Sequence, residues 1–333
     1  MLSLVLVGVR GRPDPGADIE ANAPPGASFA TPPPLPLETL GRFPAPHVVY
    51  DPKRPGRLHA GGELSDDGGR SWRPLADGDG RRIVPLGGPR ALAPALGPDG
   101  AVLYGEVLFD EPLVPRGKGA IAHGAEWSDG KWRALLPQDG LAASRSDEPR
   151  WVVVAAGYLR GQAALATESE VLLASGGSLH TPVKVSAFLA ASDGSTWIAT
   201  REAGRFPLYV HTDAAGSWQP VAGAHAVDAL AEGGGGVWAA GTHLGRREAD
   251  GTWQWTLLPL TRPQGLAAHP RLPLAVVWAS DRLVICRVGE EPRMVPLGGV
   301  QVAWAAWDPA RDDALTLVDR RGSAGRFSLA SLP

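Results

Sequence analysis

What most restricts the fold of this chain is a short apolar run that recurs along it, four to nine residues long and bounded by glycine, aspartate or proline. "HVVYD" (47–51), "AVLYGEVLF" (101–109), "WVVVAAG" (151–157) and "STWIAT" (195–200) are of this kind. So are "LYVHT" (208–212), "GVWAAG" (236–241), "AVVWA" (275–279), "RLVICRV" (282–288) and "DALTLVD" (313–319). Runs this short, rich in Val, Trp, Leu and Tyr, read as strands. No long segment carries an apolar stripe at the 3.6-residue helical period. The expected class is therefore all-β, with the 43 glycines and 32 prolines serving as punctuation between strands.

The runs also keep a period. Five acidic turns lead into a tryptophan: "SDDGGRSW" ending at Trp72, "SDGKW" at Trp132, "SDGSTW" at Trp197, "TDAAGSW" at Trp218 and "ADGTW" at Trp253. Several are followed by a short strand closing on Leu or Pro-Leu, as in "RPL" (73–75), "RALLP" (133–137) and "QWTLLPL" (254–260). Aligned on these ends, the chain divides into units at 47–75, 91–137, 150–185, 186–221, 225–260, 264–297 and 299–332. Units of roughly 35 to 45 residues with four short strands are the signature of a propeller blade. The expectation is a seven-bladed β-propeller of four-stranded antiparallel blades over 37–333. Six or eight blades are the alternatives, because 76–185 is the least regular stretch. The last unit lacks a fourth strand, and "PLPLETLGRF" (34–43) has the texture of one. An open sheet edge invites unwanted pairing, so residues about 37–43 are expected to close the ring as the outer strand of the C-terminal blade.

Residues 11–36 differ in kind. Prolines at 13, 15, 24, 25, 32, 33, 34 and 36 exclude helix and sheet, which makes 1–36 an extended or disordered arm with polyproline character. A plain linker is one reading of it, and a strap that lies along a partner or another subunit is the other. "MLSLVLVGVRG" at the start lacks a basic n-region and a clear small-residue cleavage site, so it makes a poor secretory signal. No apolar run reaches 18 residues, so no transmembrane helix is expected. Compartment stays open between cytoplasm and cell envelope or periplasm.

Composition removes several functions. The net charge of −3 and the absence of a basic block argue against nucleic-acid binding. Arginine outnumbers lysine 28 to 4, which fits the codon bias of a GC-rich bacterial genome. The lone Cys286 sits in an apolar run and reads as a buried, inert thiol. No nucleophile elbow, phosphate-binding loop or zinc-binding His pair occurs, and the eight histidines are scattered. "DGDG" (77–80) resembles a calcium loop without the remaining ligands. No metal or cofactor is expected.

The stretch Ser65-Asp66-Asp67-Gly68-Gly69-Arg70-Ser71-Trp72 matches the Asp-box pattern, Ser/Thr-x-Asp-x-Gly-x-Thr/Ser-Trp, at every fixed position. It resembles the repeat of the Asp-box (BNR, sialidase-like) propellers. These include sialidases, xyloglucan-cleaving glycosidases, sortilin-type receptor domains and a photosystem II assembly-factor type. Degenerate versions supply Asp129 and Trp132, Asp193 and Trp197, Asp213 and Trp218, and Asp250 and Trp253. In the family these turns join the third and fourth strands, on the rim away from the pocket. Ser65, Asp67, Gly69, Ser71 and Trp72 are therefore expected to build a turn and not to catalyse. Short Ser and Asp side chains capture backbone N–H groups, a glycine takes a positive φ, and Trp buries an aromatic face.

A sialidase-type site would also need several arginines, a Tyr/Glu pair and an acidic donor. None of Tyr50, Tyr104, Tyr158 and Tyr209 stands in such a setting, and the Phe-Arg-Ile-Pro sequence ahead of the first box is absent. The candidate carboxylates on other loops for a pair across a pocket are Glu106, Asp110, Glu111, Asp147 and Glu148. No catalytic residue is assigned. The resemblance implies a noncatalytic interaction or assembly scaffold with a protein partner. The alternative is a carbohydrate-active hydrolase of the sialidase-like or xyloglucanase-like type, or a glycan-binding module.

Overall fold

The computed structural model describes residues 37–86, 94–110, 112, 120–137, 153–234, 236–297 and 299–331. The arm 1–36, Glu111, Asp147 and Glu148 lie outside the described residues. Described residues form seven antiparallel sheets, taken in turn along the chain. Blade 1 runs Val48–Tyr50, Leu58–Ala60, Glu63–Ser65 and Arg73–Pro74. Blade 3 runs Val153–Leu159, Gln162–Thr167, Glu170–Leu173 and Ser178–His180. Blade 4 runs Ala187–Ala190, Thr196–Ala199, Leu208–His211 and Trp218–Pro220. Blade 5 runs Ala229–Gly233, Gly236–Ala240, His243–Arg247 and Trp253–Leu257. Blade 6 runs Gly265–Ala268, Leu274–Trp278, Arg282–Arg287 and Arg293–Pro296. Blade 7 runs Val302–Trp307, Ala314–Asp319 and Ser323–Ser328, and its fourth strand is Glu38–Arg42 from the other end of the chain.

Blade 2 departs from the sequence expectation. Its second strand, Val102–Asp110, spans nine residues and pairs with Ile121–Ser128 and through it with Lys131–Pro137. Its inner edge is shared by Ala95–Leu96 at one end and Arg82–Pro85 at the other. The unit therefore begins at 82 and not at 91. "RIVP" carries one buried apolar residue, Ile83, while Val84 is exposed. Such a strand has no readable hydrophobic signal of its own.

First strands of successive blades pack on one another around the axis. Crowding there selects small side chains, as at Ala187, Ala190, Ala229, Ala231, Gly265 and Ala267. Second strands are covered on both sides; Thr196–Ala199 and Leu274–Trp278 are buried throughout. Among the described residues the apolar core resolves into seven clusters, each lying between two consecutive blades. Trp197, Trp238 and Trp278 fill such interfaces, each from the second strand of its blade.

The ring closes as expected. Glu38 pairs with Arg326 and Arg42 with Ser323, with an irregularity between Thr39 and Gly41. The Phe43 amide then donates to the Gly322 carbonyl at 2.8 Å. Leu40 and Phe43 are buried with Val48, Tyr50, Leu58, Val318 and Ala324 in the cluster between blades 7 and 1. The Phe43 ring meets Trp72 edge-on at 5.0 Å. Removing a buried phenyl ring leaves both lost transfer energy and a cavity. Phe43→Ala is therefore expected to lower the unfolding free energy by about 3–5 kcal/mol, read as a drop in urea midpoint at unchanged slope. Leu257→Ala, at a side chain 67 % exposed, serves as the neutral control. An unchanged midpoint for Phe43→Ala would show that the seam does not depend on this ring.

Candidate functional site

Successive antiparallel strands alternate in direction. First–second and third–fourth hairpins therefore open on one end of every blade, and second–third hairpins and blade-to-blade connections on the other. The second end carries a funnel of about 720 Å³ on the axis. Its floor is small or apolar: Val154–Ala156 of blade 3, Ala187 and Phe188 of blade 4, Leu230 of blade 5, Leu266 of blade 6 and Trp304 of blade 7.

Charges enter only at the rim, from segments that join strands. Lys184 lies in the blade 3–4 connection and bonds Glu168, in a second–third hairpin, at 2.8 Å. Arg201 follows the second strand of blade 4 and bonds Asp228, which precedes the inner strand of blade 5, at 2.7 Å. Glu202 is exposed beside it, with no ion pair among the described residues. His47 enters from the blade 7–1 connection and meets Trp304 edge-on at 4.9 Å, while the Trp304 indole donates to the Val48 carbonyl at 2.8 Å. Burial lowers the His47 pKa to about 4, so the ring is neutral at physiological pH. None of these residues belongs to a motif, and the sequence reading missed the rim. The one signal available was their place just before or after an inner or second strand.

The Asp-box residues lie elsewhere. Ser65 ends the third strand of blade 1 and Trp72 precedes the fourth. Asp67 Oδ1 accepts the backbone N–H of Arg70 at 3.0 Å and of Ser71 at 2.9 Å, and Oδ2 accepts the Ser71 hydroxyl at 2.5 Å. The Ser65 hydroxyl donates to Asp67 Oδ1 at 2.8 Å and accepts the Gly69 N–H at 2.9 Å. Gly69 takes φ +92°, and a Cβ there would overlap the Phe43 ring. The Trp72 indole donates back to the Gly69 carbonyl at 3.1 Å. Hydrogen bonds from the Ser71 side chain and amide, then from Ser65 and Arg70, hold the Asp67 carboxyl well below the usual range.

The degenerate turns are spread over the other blades. Asp129 and Gly130 form a two-residue hairpin at positive φ between the third and fourth strands of blade 2. The Trp132 indole donates to the Leu75 carbonyl of blade 1 at 2.9 Å. Asp193 accepts the Ser195 amide at 2.8 Å, and Ser195 accepts the Trp197 indole at 2.8 Å. That turn joins the first and second strands of blade 4, not the third and fourth. Asp213 pairs with Arg160, and the Trp218 indole donates to the His180 carbonyl of blade 3. Asp250 accepts the Thr252 amide at 2.9 Å, and Trp253 meets Trp197 at 5.6 Å. All five turns open on the end opposite the funnel.

The remaining candidates are equally dispersed. Glu106 and Asp110 lie on the second strand of blade 2 and outside the funnel lining, with Glu106 Oε1 accepting the Val153 amide at 3.3 Å. The Tyr50 hydroxyl bonds Thr316 at 2.6 Å, while burial raises the pKa of Tyr104 and Tyr158. Burial pushes the Cys286 thiol up to about 12, which removes it as a nucleophile near neutrality. Asp77 of "DGDG" bonds Arg81 at 3.0 Å. Among the described residues no three His, Cys, Asp or Glu side chains cluster as metal ligands.

Fold and funnel together define a seven-bladed β-propeller with an apolar-floored, charge-rimmed mouth. No protein-family model matches the chain, and no curated protein matches it. Solved structures do. Virginiamycin B lyase from Staphylococcus aureus is 13 % identical with a TM-score of 0.57, covering 88 % of this chain and 99 % of its own. YCF48 bound to D1 peptide is 15 % identical with a TM-score of 0.53, covering 90 % and 99 %. U3-55K is 15 % identical with a TM-score of 0.57, covering 88 % and 98 %. At such identities the likeness is one of fold.

The Asp67 geometry sets a pH dependence. An unfolded aspartate titrates near ~3.9, and the folded carboxyl titrates lower. Its contribution to stability is therefore present above about pH 4 and lost as pH falls toward the folded value. Asp67→Ala should lower the melting temperature at pH 6, and the gap from wild type should narrow as pH is taken from about 4 toward 2. A gap of equal size at both ends would refute the carboxylate as its source.

Proposed function

We propose that the protein is a noncatalytic propeller that acts as an interaction or assembly subunit and docks a partner protein across the funnel mouth. The observation that carries this reading is the composition of the mouth. Its floor is apolar and aromatic, and its cations are already matched: Lys184 by Glu168 and Arg201 by Asp228. An apolar centre with a polar rim is the anatomy of a protein interface. A carboxylate-binding site of the sialidase kind would need several arginines at the mouth, and the described lining offers Arg201 alone. On this reading Ser65, Asp67, Gly69, Ser71 and Trp72 hold backbone and not substrate, and so do the degenerate turns. The arm 1–36 is the second attachment point. YCF48, solved with a D1 peptide, is a protein of this fold that takes a peptide; virginiamycin B lyase has the same fold and is named for a reaction, so the fold alone does not decide.

One observation favours the second reading, a carbohydrate-active hydrolase. Glu202 is an exposed carboxylate at the mouth without an ion pair among the described residues, and Glu168 lines the same funnel. Two carboxylates are what glycoside hydrolysis requires. The two readings separate in one experiment. Partners are captured from the native organism with wild type, with Lys184→Glu/Arg201→Glu and with a chain lacking 1–36, and all three are offered fluorogenic glycosides. The scaffold reading expects partners that are retained by wild type and lost from the folded rim variant, with no glycoside turnover. Turnover abolished by Glu202→Gln would overturn it and establish the hydrolase.

A further inference from the structure

The outer surface where blade 7 meets blade 1 carries charge that the mouth does not use. A cleft of about 490 Å³ opens there. Arg42, the last residue of the closing strand, lines it together with Arg320 and Arg321 from the second–third hairpin of blade 7. Backbone contacts bring the two segments together. The Phe43 amide donates to the Gly322 carbonyl at 2.8 Å. A Cβ on Gly322 would collide with the Phe43 carbonyl and reach the stem of Arg42. The rest of the lining is the run Phe43–Pro46, the half-buried Trp72 and one carboxylate, Glu63.

Carboxylates near these arginines are engaged elsewhere. Glu38 of the closing strand meets Arg70 at 3.2 Å and Arg326 at 3.5 Å, and Asp308 meets Arg326 at 3.5 Å. Asp319 stands beside Arg320, but its Oδ1 accepts the backbone amides of Arg321 at 2.7 Å and Ser323 at 2.8 Å. Among the described residues Arg42, Arg320 and Arg321 form no ion pair, and neither does Glu63. All three arginines are exposed. Like charges gathered in one place repel, yet the fold holds three of them at one cleft. With Glu63 counted against them, the lining carries three positive charges and one negative, a net of +2.

An excess of two charges matches a dianion. Guanidinium groups present forked N–H donors that fit phosphate and carboxylate oxygens bidentately, and charge-assisted bonds of this kind are the strong ones. Three forks suit a group that gathers three acceptor oxygens and nearly two charges on one atom, as a phosphomonoester does and a carboxylate does not. Trp72 and the proline run offer the organic part of such an ester an apolar, partly aromatic wall. We propose that the cleft between blades 7 and 1 binds a phosphomonoester dianion, with its phosphate on Arg42, Arg320 and Arg321 and its organic part against Trp72. Arg42 comes from the closing strand, Arg320 and Arg321 from blade 7, and Glu63 and Trp72 from blade 1. The site is therefore complete only in the closed ring, and its ligand clamps the seam. Neither the funnel nor its partner takes part in it.

The test is isothermal titration calorimetry on the full chain with phenyl phosphate, at constant ionic strength and about pH 7.5, where the ester is a dianion. Wild type should bind one equivalent, more tightly than it binds inorganic phosphate or succinate. Arg42→Gln, Arg320→Gln and Arg321→Gln should each weaken binding about tenfold, and the triple variant should abolish it. These side chains are exposed, so each variant should keep the wild-type circular dichroism spectrum. Saturating phenyl phosphate should raise the melting temperature of wild type, and should change that of the triple variant no more than chloride of equal ionic strength does. Lys184→Glu/Arg201→Glu should bind like wild type, which separates this result from that of the mouth. Adenosine monophosphate and a phosphotyrosine peptide form two further arms. Tighter binding of the nucleotide assigns the ligand to a free metabolite, and tighter binding of the peptide to a modified protein. The proposal is overturned by a wild type that does not bind, by binding that survives the triple change or is lost in the rim variant, or by succinate or inorganic phosphate binding as tightly as phenyl phosphate.

Discussion

Everything else in this fold depends on the pairing of Glu38–Arg42 with Ser323–Ser328. The apolar clusters lie between blades and not within them, so a blade without a neighbour on either side exposes half of two cores. Six interfaces form between blades adjacent in sequence. The seventh must bring together residues nearly 290 positions apart, as in the contact of Arg326 with Glu38. Its closing strand is exposed except at Leu40, so backbone pairing alone would hold it weakly. Charge adds to it: Arg326 is buried between Glu38 and Asp308 at 3.5 Å from each. A buried charge left without its partner is strongly unfavourable, and this ties the closing strand to the inner part of blade 7.

The same seam accounts for where the intact Asp-box stands. Arg70 of the box reaches Glu38 of the closing strand at 3.2 Å, and Gly69 lies against Phe43. Trp72 completes the contact at the other side of that ring. Two fixed positions of the motif, Gly69 and Trp72, thus have a second constraint in blade 1, because the turn must fit the segment that seals the ring. The turns at Asp129, Asp193, Asp213 and Asp250 meet no such segment. Each keeps its aspartate and tryptophan but not the rest of the pattern, since a turn with fewer neighbours tolerates more sequences.

The architecture was legible in the sequence because blade strands carry their own signal. "LAVVWA" and "ALTLVD" are buried on both faces and read as strands without context. The closing strand could be placed by a counting argument, since one unit was a strand short. Arg82–Pro85 escaped because it borrows its hydrogen bonds from a neighbour that is longer than a blade strand needs to be. The funnel rim escaped for a different reason. Lys184 and Glu168 are 16 positions apart, Arg201 and Asp228 are 27 apart, and charged loop residues at such separations look like ordinary solvated surface until the ring brings them together. Trp253 was legible as a turn tryptophan, but its stacking on Trp255 was not. The place of the Trp255 ring depends on Gly245 opposite, whose missing side chain makes room for it.

On the proposed reading, the rim and the floor of the mouth divide the work of binding on physical grounds. Exposed ion pairs such as Lys184–Glu168 add little free energy, in general about 0–1 kcal/mol. Meeting a partner, they steer encounter and reject wrong charge patterns more than they raise affinity. Affinity at the mouth then rests on the area of its apolar floor, and single-site contacts of that kind release readily.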